Sequence, residues 1–136
     1  MNIGFLILKN NFEDIKKINP QADIREMRTL TQGANKVMKG YFKDNSLVAY
    51  LIYWVFKDKI EIKQIFVAPS FRRQGIGTEL ISKVFINDKI VQRSLTIDVP
   101  DNCLDMHLFL KGLGFTATVK DCETYSFNFT PQECNT

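Results

Sequence analysis

Arg72-Arg73-Gln74-Gly75-Ile76-Gly77 sets two arginines and two glycines just ahead of an apolar helical repeat. The first N–H groups of a helix have no intrahelical acceptor and point outward, and the helix dipole adds partial positive charge at that end. Glycine removes the Cβ that would hold a ligand off the backbone, and arginine adds charge and forked donors. Such a turn is an anion site, and a pyrophosphate fits it. Two other phosphate cradles fail on sequence. A P-loop requires Gly-Lys-Ser/Thr after its glycines, whereas Gly77 is followed by Thr78-Glu79. The dinucleotide fingerprint requires a third glycine where this chain has Leu80.

The elements that position this turn flank it. Ile60–Val67 is rich in β-branched residues and reads as a strand, which Pro69 ends because it has no N–H for the ladder. Ile76, Leu80, Ile81, Val84 and Phe85 recur at helical spacing, predicting a helix that starts near Gln74. Upstream, Ile3–Leu8 reads as a strand. Asn10 or Asn11 caps a short helix carrying Phe12, Ile15 and Ile18, which Pro20 ends, and a second helix covers Gln21–Leu30. Lys36–Lys43 and Leu47–Lys57 form a hairpin around Asp44-Asn45-Ser46. The almost continuous apolar run from Leu47 to Phe56 predicts a central strand covered on both faces. Downstream come a strand at Ser94–Val99, a helix from Pro100-Asp101-Asn102 to about Lys111, and a hairpin of Phe115–Lys120 and Thr124–Phe129. The tail from Pro131 reads as frayed.

A chain of 136 residues makes one domain, residues 1–136, long enough for a real core. Its 45% hydrophobic and 24% charged composition is that of an ordinary soluble globule. A net charge of +3 does not by itself argue for nucleic acid, and an anionic cofactor accounts for part of it. The cysteines, Cys103, Cys122 and Cys134, are far apart and, with His107, form no zinc pattern. They predict no metal and a reduced, cytoplasmic setting. The apolar run Ile3–Leu8 is too short for a signal peptide or a membrane span.

The arginine–glycine turn resembles the Arg/Gln-x-x-Gly-x-Gly/Ala signature of the GNAT superfamily of N-acetyltransferases, and the strand ending Val67-Ala68-Pro69 is similar to the one that precedes it there. The order of elements is similar over essentially the whole chain, and the pattern is closest to the ribosomal-protein alanine acetyltransferase-like branch. The resemblance implies an α/β (α+β) fold. Its mixed, mostly antiparallel sheet has six to seven strands, helices on both faces, and a splay between strands four and five that admits acetyl-CoA. The backbone of Ile65, Phe66 and Val67 would then pair with the pantetheine arm. The N–H groups of Arg72, Arg73, Gln74, Gly75, Ile76, Gly77 and Thr78 would hold the pyrophosphate. Leu95–Phe115 resembles the family pattern of strand, Asn, helix and Phe-Tyr-x-x-x-Gly-Phe. The usual Phe-Tyr pair falls on Phe109-Leu110, and the usual asparagine falls on Cys103, one residue after Asn102. Asn102 and Phe109 are thereby assigned to the cofactor, and the tyrosine often proposed to protonate the leaving thiolate is replaced by Leu110.

The activity implied is transfer of an acetyl group from acetyl-CoA to a primary amine, of a protein or a small molecule, by direct attack in a ternary complex. The alternative is a CoA-binding domain with little catalysis, acting as a sensor or partner-binding module. No nucleic acid and no membrane are expected as partners, and the protein is expected to be a monomer or a homodimer. Deprotonating the amine calls for a base. Glu61 and Asp98 occupy strand positions where GNAT enzymes carry catalytic carboxylates. Tyr125 on the final hairpin, or water, would protonate the thiolate. His107 reads as a surface helix residue, and Cys103 lacks a neighbouring histidine to activate it.

Overall fold

The computed structural model describes residues 3–7, 11–87 and 94–129. A strand buried along most of its length, β3 (Ser46–Val55), lies inside the sheet between two others. Its side chains alternate between two cores. Leu51 and Tyr53 enter the larger one, beneath α3 (Ile76–Asn87) and α4 (Leu104–Gly112). Tyr50 and Ile52 enter the smaller one, beneath α1 (Phe12–Ile18) and α2 (Ile24–Thr31). A strand with apolar residues on both faces requires a layer on each side, which explains the continuous apolar run.

The remaining strands are β1 (Ile3–Ile7), β2 (Lys36–Lys43), β4 (Lys59–Val67), β5 (Ser94–Pro100), β6 (Thr116–Asp121) and β7 (Thr124–Phe129). They form one seven-stranded sheet in the order β1-β2-β3-β4-β5-β7-β6. Every neighbouring pair is antiparallel except β4 and β5, which run parallel and are joined through α3. This is the mixed sheet with helices on both faces that the element order predicts.

Several boundaries differ from the sequence expectation, each for a local reason. α3 starts at Ile76 rather than near Gln74, because Arg73 and Gly75 have φ of +65° and +81°, outside the helical region. α2 starts at Ile24 rather than Gln21, because the Asp23 carboxylate accepts the Glu26 N–H at 3.2 Å and caps the helix there. The first hairpin turns on two residues, Asp44 and Asn45, both with positive φ, so Ser46 already belongs to β3. The frayed tail and the Phe85 side chain lie outside the described residues.

Two contacts fix the helices that flank the uncovered part of the sheet. The Asn19 side-chain amide donates to the buried Tyr50 hydroxyl at 3.0 Å, and the Trp54 indole N–H donates to the Leu30 carbonyl at 2.8 Å. They pin α1 and α2 over β2 and β3, and among the described residues no helix covers the same face of β5, β7, β6 and the first half of β4, where a cleft lies.

Candidate active site

The site begins where β4 and β5 part. Their ladder runs from Lys59↔Ser94 to Ile62↔Ile97 and then ends, although β4 continues to Val67 and β5 to Pro100. A bulge causes the divergence. Ile52 pairs with Gln64 and Tyr53 with Ile62, so Lys63 is an extra residue in β4. A bulge bends its strand and increases the local twist, which swings Gln64–Val67 away from β5.

The edge that β4 presents to the gap follows from the strand alternation. The Ala68 N–H donates to the Val48 carbonyl at 2.8 Å, so the backbone of Phe66 and Ala68 faces β3. The N–H and C=O groups of Ile65 and Val67 therefore face the gap. Phe66 is engaged with β3, and its ring stacks on Tyr50 at 5.7 Å. Arg72 folds back onto this edge. Its Nε donates to the Val67 carbonyl at 2.8 Å, and its guanidinium lies 5.3 Å from the Phe66 ring. An added strand would thus find the Ile65 groups and the Val67 N–H.

At the far end of β4, a short 3-10 turn (Pro69–Phe71) leads into the arginine–glycine turn. The first helical hydrogen bond of α3 runs from the Glu79 N–H to the Gly75 carbonyl at 3.0 Å. The N–H groups of Gly75, Ile76, Gly77 and Thr78 are left without an intrahelical acceptor. The two glycines do different work. A Cβ at Gly75 would meet nothing within 4 Å, so this face of the turn is open. A Cβ at Gly77 would lie 3.1 Å from Cζ of Phe109. Gly77 is therefore needed for the close approach of α4 to α3, and Phe109 walls the α3/α4 side of the gap. Arg73, Gln74 and Thr78 are exposed around the turn. These residues fit a pyrophosphate-bearing ligand, since an open positive end of a helix follows a strand edge whose Ile65 groups and Val67 N–H have no strand partner among the described residues.

Leu110, where the sequence pattern leaves out a tyrosine, is fully buried in the larger core. A tyrosine there would have to displace the core rather than reach the gap. Leu110→Tyr is expected to lower stability by about 1–3 kcal/mol through overpacking. A urea melt with an unchanged midpoint would contradict that placement. Asn102 is exposed at the end of β5, its Oδ1 3.7 Å from the Cys103 Sγ.

Glu61 and Asp98 point to the same face of the sheet, opposite α3 and α4. They line a cleft of about 430 Å³ with Lys59, Lys63, Lys120 and Thr96. Glu61 pairs with Thr96 one rung before the ladder ends, and Asp98 is the first residue of β5 beyond it. Neither carboxylate is free. Glu61 is held at 3.0 Å by Lys59 on one oxygen and at 3.0 Å by Lys63 on the other. Partial burial pushes its carboxyl up, but the hydrogen bonds and charges of Lys63 and Lys59 outweigh this and hold it below its ordinary value. Asp98 is paired with Lys120, whose ammonium is pushed above its ordinary value by that hydrogen bond and charge.

Tyr125 lies on the other face. It pairs with Val99 at the end of β5, and its ring stands 5.3 Å from His107 of α4. His107 is less free than its helix position suggests. Its Nε2 lies 2.9 Å from the Pro100 carbonyl, and its ring meets Phe127 edge-on at 5.0 Å. The carboxylates and Tyr125 thus lie on opposite faces of the sheet, with Tyr125 on β7, across β5 from β4. The lysines were the residues that motif reasoning passed over. The alternation Lys59-x-Glu61-x-Lys63 in a strand places all three on one face and is legible at period two.

Residues 7–115 match the model of the Acetyltransferase (GNAT) family. No curated protein matches the sequence. Among solved structures, a PaiA N-acetyltransferase from Thermoplasma acidophilum in complex with coenzyme A aligns with a TM-score of 0.75 at 13% identity, over 96% of this chain and 100% of that one. The ribosomal-protein-S18-alanine N-acetyltransferase from Escherichia coli aligns with a TM-score of 0.74 at 17% identity, over 93% and 91% of the two chains. Arabidopsis thaliana Naa50, in complex with the bisubstrate analogue CoA-Ac-MVNAL, aligns with a TM-score of 0.77 at 16% identity, over 96% and 99%. At these identities the structures are alike in fold.

Proposed function

This chain belongs to the GNAT acetyltransferase family, and from that premise we propose that it transfers an acetyl group from acetyl-CoA to a primary amine by direct attack within a ternary complex. The observation that carries the reading is the alignment of three features. They are the open N-terminus of α3 at Gly75–Thr78, the unpaired edge of β4, and a carboxylate-bearing cleft at the point where β4 leaves β5.

Acetyl-CoA supplies the acetyl group as a thioester. The amine lone pair forms the new C–N bond, the C–S bond breaks with its electron pair going to sulfur, and the ammonium proton passes to a base. The first-turn N–H groups of α3, with Arg73, hold the pyrophosphate. The Ile65 N–H and C=O pair with the pantetheine amides as a strand would, which leaves the Val67 N–H for the developing oxyanion. Phe109 packs along the arm. Glu61 receives the proton, directly or through a water, with Asp98 as the second candidate. The amine arrives on the face of the carboxylates and the thiolate departs on the face of Tyr125, which supports Tyr125 as the proton donor. A thiol with an ordinary pKa near 8.5 makes that donor helpful rather than obligatory.

Tyr125→Phe removes the hydroxyl and leaves the ring against His107. Turnover is expected to fall while CoA affinity stays the same. Equal turnover in both proteins would assign the protonation to water.

Thiol release with a panel of amines tests the reading as a whole. Acetyl-CoA-dependent, amine-dependent release is expected. CoA binding with no release across a broad panel would instead favour a binding module without chemistry.

A further inference from the structure

The cleft on the carboxylate face is lined by three ammonium groups and two carboxylates, a net charge of +1. The five groups are engaged with one another. Lys59 and Lys63 each take one oxygen of Glu61, and Lys120 takes Asp98. Both carboxylates already have cationic partners. A cationic acceptor therefore gains little from them and is repelled by the excess lysine. An ammonium has three donors, and a single carboxylate oxygen uses one, so each lysine head keeps donors for an incoming anion. The Lys63 ammonium is further located by the Trp54 ring, 4.2 Å away, and Lys36 lies 4.3 Å from the same ring, which adds another positive charge beside the cleft. The heads also converge. β4 and β6 are separated by two strands, yet Lys120 of β6 reaches across to Asp98 on β5, next to the carboxylate that Lys59 and Lys63 share. Convergent cations suit one compact anionic group rather than acidic side chains spread along a peptide.

Resting on the acetyltransferase reading of this site, we propose that the acceptor is a small amine bearing its own carboxylate, of amino-acid type, and that this carboxylate docks on Lys59, Lys63 and Lys120. Docking has a chemical consequence. The acceptor carboxylate competes with Glu61 for Lys59 and Lys63, and each lysine it draws away leaves Glu61 a better base at the moment the amine is in place. The preference therefore enters kcat as well as KM.

The test compares amino acids with their primary amides and with the corresponding decarboxylated amines, with rates expressed per free amine. Two readouts are used: calorimetric binding to the protein–CoA complex, and thiol release. An amino acid is expected to exceed its amide by about 10–100-fold in kcat/KM, the scale of one or two charge-assisted hydrogen bonds. The advantage should shrink as salt is raised. Lys120→Gln, at an exposed position, should erase most of the preference. Amides or simple amines equal to or better than amino acids, in either readout, would overturn the proposal. So would preference for a cationic polyamine, or for acidic peptides over free amino acids. Should no amine be turned over, carboxylate-dependent binding to the CoA complex still decides this point, while the acetyltransferase reading alone fails.

Discussion

Gly75→Asp is expected to weaken CoA binding by about 100-fold or more, from an affinity in the low-micromolar to sub-millimolar range, about 5–8 kcal/mol. Two effects combine at this residue. The backbone has φ of +81°, where any side chain is strained, and the space a Cβ would occupy is open. An aspartate carboxylate would thus stand where the pyrophosphate is proposed to lie. Gly75→Asn separates charge from strain, since asparagine tolerates positive φ comparatively well. The asparagine variant should bind CoA measurably better than the aspartate variant, and both should remain folded. Calorimetry giving the parent affinity for a folded Gly75→Asp protein would remove the anion site from the account. Gly77 calls for a different expectation, because a Cβ there meets the Phe109 ring at 3.1 Å. Gly77→Ala should disturb the α3–α4 packing as well as the ligand.

Glu61→Gln is expected to lower the rate by about 10²–10⁴-fold at neutral and low pH while CoA affinity stays near that of the parent. The Glu61 carboxyl is held below its ordinary value by Lys63 and Lys59, despite the opposing effect of burial. It is therefore ionised throughout the neutral range, and the rise of activity with pH reports the acceptor amine rather than this group. The same depression fixes the sign for stability. Ionised Glu61 stabilises the fold above its unfolded pKa, and that contribution is lost as pH falls through the lower folded value. Glu61→Gln should accordingly flatten the acid side of the stability profile. Full activity in Glu61→Gln together with a large loss in Asp98→Asn would move the base to β5. Equal, near-parent rates in both variants would leave positioning and water to carry the reaction.

The arginine–glycine turn and the strand before it were legible as backbone features because their signals are local. Glycine, proline and arginine act on the backbone within a few residues, and Ile76, Leu80, Ile81 and Val84 mark the buried face of α3 directly. The order of elements followed from periodicity for the same reason, and the buried β3 was plain from its apolar run. What the sequence hid depends on pairing across the sheet. The bulge at Lys63 that opens the gap is a register difference between β3 and β4, and no composition rule marks it. The ion pairing of Asp98 comes from Lys120, whose side chain reaches across β7 from the edge strand β6. His107 looked solvent-facing because its partners, the Pro100 carbonyl, Tyr125 and Phe127, belong to other elements. Gly77 looked like a ligand-contact glycine, and only the placement of α4 reveals that Phe109 fills the space beside it.

A structure of the protein with acetyl-CoA bound tests the central claim most directly. The pyrophosphate is expected on the N–H groups of Gly75–Thr78 and the pantetheine arm along Ile65 and Val67. The thioester is expected at the end of the β4–β5 ladder, open to Glu61 and Asp98 from one face and to Tyr125 from the other. Acetyl-CoA bound elsewhere, or with its thioester walled off from the cleft that holds Glu61, would contradict it.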